Sequence, residues 1–170
     1  NGVSSRFTLL AWPEPTTERG PKFDHRTQDG YQFFLDLGPL PRAEELYMRG
    51  NVAFWQDLAA HPNYDAFWVE RNLLPHLHRV APAVMTVGGW FDAEDLYGPL
   101  QIYRVVEREN PGIDNVLVMG PWRHGGWARG DGEQLGHARF GSQTSVHYRE
   151  TLELPFFESH LRGDGSLELP

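Results

Sequence analysis

Residues 1–50 carry no sustained hydrophobic periodicity. Prolines and glycines recur through this stretch, and the apolar clusters between them, such as residues 31–37, are short. We therefore interpret the stretch as irregular, apart from a short helix predicted at residues 42–48. Such a segment is expected to lie over a larger body, because it has too few apolar positions to fold alone.

Residues 51–80 have apolar positions at helical spacing. One predicted helix carries Phe54 and Leu58 on its apolar face. A second helix is predicted to begin at Pro62 and to end or kink at Pro75, because proline starts helices well and interrupts them elsewhere.

The pattern changes at residue 82. Residues 82–88 and 115–119 are short, nearly continuous apolar runs, which favours strands buried on both faces of a parallel sheet. The helical pattern of residues 99–109 lies between them, so the sequence predicts a β-α-β unit. A Gly- and His-rich loop follows, and the last predicted helix covers residues 146–161.

An acidic residue follows the first predicted strand. Asp92 lies just after Gly88 and Gly89, and ligands of open α/β sheets bind beyond the carboxyl ends of strands. A structural role is the alternative, since Asp92 with Asp95 three residues later also fits the cap and first turn of a helix. The spacing alone favours the capping interpretation.

A histidine, His124, follows the second predicted strand in a glycine-flanked segment. By itself it is equally well interpreted as a loop residue bonded to a carbonyl group or water. Asp92 and His124 are 32 residues apart and follow adjacent strands of one unit, so both are expected at the same sheet edge. The α/β-hydrolases order their catalytic residues serine, acid, histidine along the chain, and this order of acid and histidine is met.

The nucleophilic serine of such a triad is not found. No G-x-S-x-G motif, the usual nucleophile elbow, occurs in the chain. We therefore expect the serine to lie in an N-terminal half outside this sequence, and the isolated chain to be inactive on esters. The serines present are Ser4, Ser5, Ser142, Ser145, Ser159 and Ser166.

The composition of the chain limits the classes of partner and ligand that it is expected to bind. A net charge of −8 argues against nucleic acid, and no apolar run approaches the roughly 20 residues of a membrane span. The absence of cysteine excludes disulfides and thiolate-bound metals. No cofactor or metal is expected.

Six segments resemble the alpha-amino-acid ester hydrolases, which belong with cocaine esterase and X-prolyl dipeptidyl aminopeptidase and are often labelled glutaryl acylase. The acid motif GWFDAED and the histidine motif GPWRHG are the most specific. In chain order the segments are GYQFFLDLGPL (30–40), HPNYDAFW (61–68), GWFDAED (89–95), GPWRHG (120–125), LPFFE (154–158) and LRG (161–163).

The resemblance implies a partial α/β-hydrolase fold with a mostly helical cap. Residues 1–80 would form the cap region, residues 81–165 the C-terminal part of the hydrolase domain, and residues 166–170 the start of a linker. The linker would lead to the family's jelly-roll domain, expected outside this sequence. The resemblance favours a periplasmic or secreted location, and a homo-oligomer stays open.

The resemblance also implies the chemistry. Asp92 and His124 would be the triad acid and base of a serine hydrolase acting on small amino-acyl esters or amides. Glu94 and Asp95 would help bind the α-ammonium group of the substrate. Trp90 and Trp122 are expected in the core by their type, or at the wall of the acyl pocket by their place beside the motifs.

Three alternatives remain. The first is a related esterase or X-prolyl dipeptidyl peptidase without ammonium selectivity, and the second is a non-catalytic fragment. The third is a metal-dependent hydrolase using His76, His78 and His124. For His76 and His78, a surface or packed pair is the favoured interpretation, because no second ligand cluster lies close in sequence.

Overall fold

The structure is a computed structural model that describes residues 27–162, apart from the side chain of Ala53. Our expectations for residues 1–26 and 163–170 lie outside the described residues. No helix in the described part of the chain is long and apolar enough to cross a lipid bilayer.

The chain divides into two compact units, Asn1–Asn72 and Leu73–Pro170. The first unit is helical where it is described. Its helices are α1 (Gly30–Leu37), α2 (Pro41–Ala43), α3 (Ala53–Ala60) and α4 (Ala66–Glu70), and α2 continues as a π-helical turn over Glu44–Met48.

Helix α1 corrects our interpretation of residues 31–37 as irregular. The Asp29 carboxylate accepts a hydrogen bond of 3.0 Å from the Gln32 N–H and caps the helix. Phe33 and Leu37, four residues apart, are both buried on one face. The neighbouring glycines lie at the ends of the helix and therefore do not interrupt it.

The core of the first unit joins the three leading helices. The predicted helix at residues 42–48 is confirmed, although its second half is π-helical, and the helix predicted around Phe54 and Leu58 is confirmed as α3. Leu58 is buried as expected. The buried cluster consists of Phe33, Leu37, Ala43, Met48 and Trp55.

The helix predicted from Pro62 to Pro75 is wrong as one continuous element. Helix α4 begins at Ala66, because the Asp65 carboxylate accepts from the Phe67 N–H and caps it there. Pro75 lies in a separate 3₁₀ turn. The start of this helix is therefore set by the Asp65 cap and not by the longer apolar pattern on which the prediction rested.

The β-α-β unit is confirmed in the second unit. Strands β1 (Val84–Gly89) and β2 (Asn115–Gly120) are parallel, and helix α5 (Tyr97–Glu109) connects them and packs on both. The register runs from Val84 opposite Asn115 to Gly89 opposite Gly120, so both strands end at the same level.

The strands are less buried than the sequence predicted. Most residues of β1 and β2 are half-buried, whereas Gly88, Gly89 and Gly120 are buried. A parallel pair within the described residues has two open edges, so helices cannot cover it as fully as a wider sheet.

Asn110 fixes the chain that leads into β1. Its buried side chain donates to the carbonyl groups of Leu77, at 2.8 Å, and Val106, at 3.0 Å. It also accepts from the N–H of Val80 at 2.7 Å. The end of α5 and the approach to β1 are therefore joined by one satisfied amide.

The region after β2 is more ordered than the predicted loop. A short antiparallel hairpin is formed by β3 (Gln134–Leu135) and β4 (Ala138–Arg139), with Gly136 at φ 57° in its turn. The predicted last helix is confirmed in extent. It consists of α6 (Thr144–Tyr148), a π-helical turn (Arg149–Glu153) and α7 (Leu154–Arg162).

Candidate active site

The loops after β1 and β2 are hydrogen-bonded to each other. The N–H of Trp90 donates to the carbonyl group of Gly120 at 2.8 Å, and the N–H of Phe91 donates to that of Trp122 at 3.1 Å. The parallel register continues for two residues beyond the sheet in this way. The segments carrying Asp92 and His124 therefore lie side by side.

Two glycines permit this close approach. A Cβ atom at Gly89 would overlap the carbonyl group of Trp122, and one at Gly120 would overlap the Trp122 indole ring. Larger residues at either position would push the two loops apart, since the obstacle at Gly89 is backbone and that at Gly120 is a buried ring.

Asp92 uses its two carboxylate oxygens for two purposes. Its Oδ1 accepts from the N–H groups of Glu94, at 2.9 Å, and Asp95, at 3.0 Å, while its Oδ2 lies 3.0 Å from Nδ1 of His124. The side chain is only 2% exposed. The capping and the histidine-orienting interpretations of Asp92 are thus both compatible with one rotamer.

The environment of Asp92 keeps its carboxylate ionised. Burial raises the pKa of Asp92, but the hydrogen bonds from the Glu94 and Asp95 N–H groups and from His124 outweigh burial, so the pKa lies below its ordinary value of 3.8. At neutral pH the group is an anion, which can only accept hydrogen bonds.

The ionised carboxylate determines the tautomer of His124. Because Asp92 can only accept, Nδ1 of His124 carries the proton, and the neutral ring has its lone pair on Nε2. The His124 side chain is 49% exposed, and the Trp127 ring lies edge-on to it with the centroids 6.3 Å apart. A half-exposed imidazole with a basic Nε2 can accept a proton from an incoming group.

Of the four residues that are expected to bind the substrate, three are exposed. Trp90 is 54% exposed, and Glu94 and Asp95 are also exposed next to Asp92. The Asp95 carboxylate lies against Gly98, where a Cβ atom would overlap it. All three residues lie within three positions of Asp92, in the segment that follows β1.

Trp122 lies in the core. It is 5% exposed, its Nε1 donates to Thr144 Oγ1 at 2.9 Å, and its ring packs against Tyr148 and Trp127. This position matches the core alternative for Trp122, and little of the ring is open to a ligand.

None of the serines in the described part of the chain forms a hydrogen bond with His124. Ser145 is fully buried, and its Oγ donates to the carbonyl group of Gly126 at 3.0 Å. Neither Ser142 nor Ser159 forms a hydrogen bond with His124.

The metal-site alternative gains no support. Within residues 27–162, no three His, Asp or Glu side chains converge in a way that could hold a metal ion. His78 Nδ1 instead lies 3.0 Å from the carbonyl oxygen of Pro75, as expected of a packed or surface pair.

The sequence did not point to the residues that support His124. The side chains of Thr144, Ser145 and Arg149 all bond to the segment that carries it. A Thr-Ser pair at a helix start after a glycine-rich loop is a weak signal, and the long-range partners of Arg149 leave no local pattern.

Comparisons with known proteins agree on one group. The profile of the X-Pro dipeptidyl-peptidase (S15) family matches residues 6–126. An aminopeptidase from the marine sediment archaeon Thaumarchaeota archaeon has a TM-score of 0.80 and 33% identity over 91% of this chain and 26% of its own. An alpha-amino acid ester hydrolase labelled with selenomethionine has a TM-score of 0.80 and 30% identity over 96% of this chain and 27% of its own. A search of curated proteins found no match.

Two findings together define a partial α/β-hydrolase fold. One is the parallel β-α-β unit with an acid and a histidine beyond its strand ends, and the other is the similarity to the structural relatives. The chain belongs to the X-Pro dipeptidyl-peptidase (S15) family, because the family profile matches most of its length. It spans about a quarter of the length of the two structural relatives. The fold alone does not assign a reaction.

Replacing Gly89 by alanine should separate the two loops. The new methyl group would overlap the Trp122 carbonyl group, so we expect the free energy of unfolding to fall by about 1 to 3 kcal/mol, as for other overpacked sites. Chemical denaturation of the full-length gene product would measure it. Gly30→Ala, at a helical position with open space, is the control and should be neutral or stabilising. Equal stability of both variants would contradict the close approach.

The lowered pKa of Asp92 should make stability depend on pH. Its contribution is fully present above the unfolded value of 3.8 and is lost as the pH falls through the lower folded value. Asp92→Asn should therefore reduce the free energy of unfolding by about 1.5 to 3 kcal/mol near pH 7, as for hydrogen bonds to charged groups. The difference between variant and parent should shrink below about pH 4.

Denaturation curves recorded between pH 2 and pH 7 would measure this difference. Glu45→Gln, which neutralises an exposed carboxylate of the first unit, controls for the loss of one negative charge. A pH-independent difference for Asp92→Asn would mean that its ionisation does not stabilise the fold.

Proposed function

We propose that this chain supplies the acid and the base of the active site of a serine hydrolase acting on esters or amides of α-amino acids. The observation that carries the proposal is the 3.0 Å contact between Nδ1 of His124 and the buried carboxylate of Asp92. Membership of the X-Pro dipeptidyl-peptidase (S15) family and the hydrolase names of the relatives support it.

The proposed mechanism follows from the tautomer of His124. Nε2 of His124 takes the proton of a serine hydroxyl while the serine oxygen attacks the substrate carbonyl group. Nε2 later gives this proton to the leaving group. Asp92 holds the ring in position and stabilises the transient imidazolium. The product of the first step is an acyl-serine, which water then hydrolyses.

The serine is proposed to come from residues outside this sequence. The chain has no G-x-S-x-G motif, and the buried Oγ of Ser145 is bonded to a carbonyl group. We also propose that residues 1–80 belong to the cap and residues 81–165 to the C-terminal part of the hydrolase domain. The division into Asn1–Asn72 and Leu73–Pro170 is compatible with this assignment.

The α-amino preference rests on the carboxylates beside Asp92. An ammonium group leaving water needs anionic partners, and Glu94 and Asp95 are exposed next to the Asp92–His124 pair. The names of the relatives, an aminopeptidase and an alpha-amino acid ester hydrolase, support the same class of substrate. Trp90 is proposed to contact the substrate from its exposed position, whereas the burial of Trp122 leaves it little contact area.

Removal of His124 should abolish turnover. In the full-length gene product, His124→Ala is expected to lower kcat for an amino-acyl ester by about 10⁴-fold or more, as for other triad histidines. His78→Ala is the matched control, because His78 is bonded to a carbonyl group of its own turn. Unchanged ester hydrolysis by His124→Ala would exclude His124 as the base.

Neutralising the acidic pair should remove the preference for a charged amino group. In Glu94→Gln and Asp95→Asn, we expect the ratio of kcat/KM for an α-amino ester over its des-amino analogue to fall by about 10- to 100-fold. This corresponds to one hydrogen bond to a charged group. Glu109→Gln, at the opposite end of α5, is the control. An unchanged ratio in both variants would exclude the ammonium role.

A second candidate is an X-Pro dipeptidyl peptidase, which the family profile supports. In this candidate, activity would not depend on Glu94 and Asp95. The two candidates differ in substrate. A higher kcat/KM for X-Pro dipeptide amides than for single amino-acyl esters, unaffected by these two substitutions, would favour the peptidase.

A further inference from the structure

The segment that carries His124 needs external support. Between Pro121 and Gly132 the chain forms only one 3₁₀ turn, Gly126–Ala128, and three of its glycines have positive φ. A glycine-rich backbone loses much conformational entropy when it is ordered. A histidine on such a segment keeps a fixed orientation only if other groups hold the backbone.

The start of α6 holds both ends of this segment. Thr144 Oγ1 accepts from Trp122 Nε1 and donates to the carbonyl group of Gly132 at 2.7 Å. Ser145 donates from Oγ to the carbonyl group of Gly126 at 3.0 Å. These bonds fix the segment before and after His124, but they leave residues 127–130 to another group.

Arg149 binds the backbone of residues 127–130. Its Nη1 donates to the carbonyl group of Trp127 and its Nη2 to that of Gly130, both at 2.9 Å. A guanidinium group is a rigid planar fork, so two such bonds restrict both position and direction of the bound backbone. Within the described residues Arg149 forms no ion pair, and the hydrogen bonds of its guanidinium group go to this segment.

Trp127 connects the clamped backbone to the imidazole. Its carbonyl group accepts from Arg149, and its ring lies edge-on to His124. A shift of this backbone would therefore move a neighbour of the imidazole ring.

The helical turn that carries Arg149 is itself held by hydrogen bonds and contacts of Tyr148. The π-helical turn Arg149–Glu153 brings Glu153 into line with Tyr148, five residues earlier, and the buried Tyr148 hydroxyl donates to Glu153 Oε1 at 3.2 Å. The same hydroxyl lies 3.9 Å from Sδ of Met85 in β1. Burial and the nearby Glu153 carboxylate raise the pKa of Tyr148 well above its ordinary value, so it stays a donor.

We propose that Arg149 is a positioning residue that keeps His124 in line with Asp92. It does so by clamping the Trp127 and Gly130 carbonyl groups. The clamp rests on the same helix that contacts β1, the strand leading to Asp92, so acid and histidine are held by one body. The catalytic consequence of this proposal rests on the proposed function of His124.

The test compares two arginines of the same helical stretch in the full-length gene product. Arg149→Met removes the fork but keeps the aliphatic stem. Arg162→Met is the matched control, because Arg162 is exposed and pairs with Glu158 four residues earlier. Arg149→Lys keeps the charge but presents one ammonium group in place of the fork.

The first readout is the Nδ1 proton resonance of His124 in ¹H NMR, assigned by its absence in His124→Ala. We expect it to be lost or strongly broadened in Arg149→Met and unchanged in Arg162→Met. The second readout is kinetic. We expect kcat for an amino-acyl ester to fall by about 10- to 100-fold with little change in KM, the effect of a misplacement of about 1 Å. Arg149→Lys should be intermediate.

The outcomes separate the two proposals. A parental resonance and kcat in Arg149→Met would overturn the positioning role even if His124→Ala is inactive. Full activity of His124→Ala would overturn the proposed function, while the resonance would still decide whether Arg149 orients His124. If Arg149→Met does not fold, Arg149→Lys decides: loss of the resonance supports the clamp, and a parental resonance overturns it.

Discussion

The parallel register that ends both strands at Gly89 and Gly120 is the constraint on which the site depends. Because the strands stop at the same level, the next backbone groups pair across the gap, from Trp90 to Gly120 and from Phe91 to Trp122. Asp92 and His124 then lie in the two loops that follow these adjacent strands. A shift of register by one residue would break these two pairings and displace one loop along the other by about 3.3 Å, the rise of one strand residue.

Asp92 shows how one buried group can serve both the backbone and the site. A carboxylate in this position requires compensation for burial, and the two N–H groups on Oδ1 and the imidazole on Oδ2 provide it. The same bonds that cap the turn lower its pKa, keep it anionic and so determine which nitrogen of His124 carries the proton. Local stability and candidate chemistry cannot be separated at this residue.

The histidine, by contrast, depends on contacts made far along the chain. Thr144, Ser145 and Arg149 bind the backbone around it, and Tyr148 links their helix to β1. The site is therefore assembled from two short loops and a supporting helix. Trp122, although only two residues before His124 in sequence, is a core residue whose indole N–H donates to Thr144 of this helix.

The sequence by itself determined the β-α-β unit, the last helix and the placement of Asp92 and His124 at one sheet edge, because apolar runs and helical periodicity are local properties. It did not determine α1, the start of α4 or the π-helical turns. Asp29 and Asp65 define helix starts that the prolines and apolar spacing obscured, and the π turn at Arg149–Glu153 is associated with a bond between Tyr148 and Glu153. Tertiary structure alone decided the burial of Trp122 and the backbone groups that Arg149 binds, because both depend on contacts about twenty residues distant in sequence.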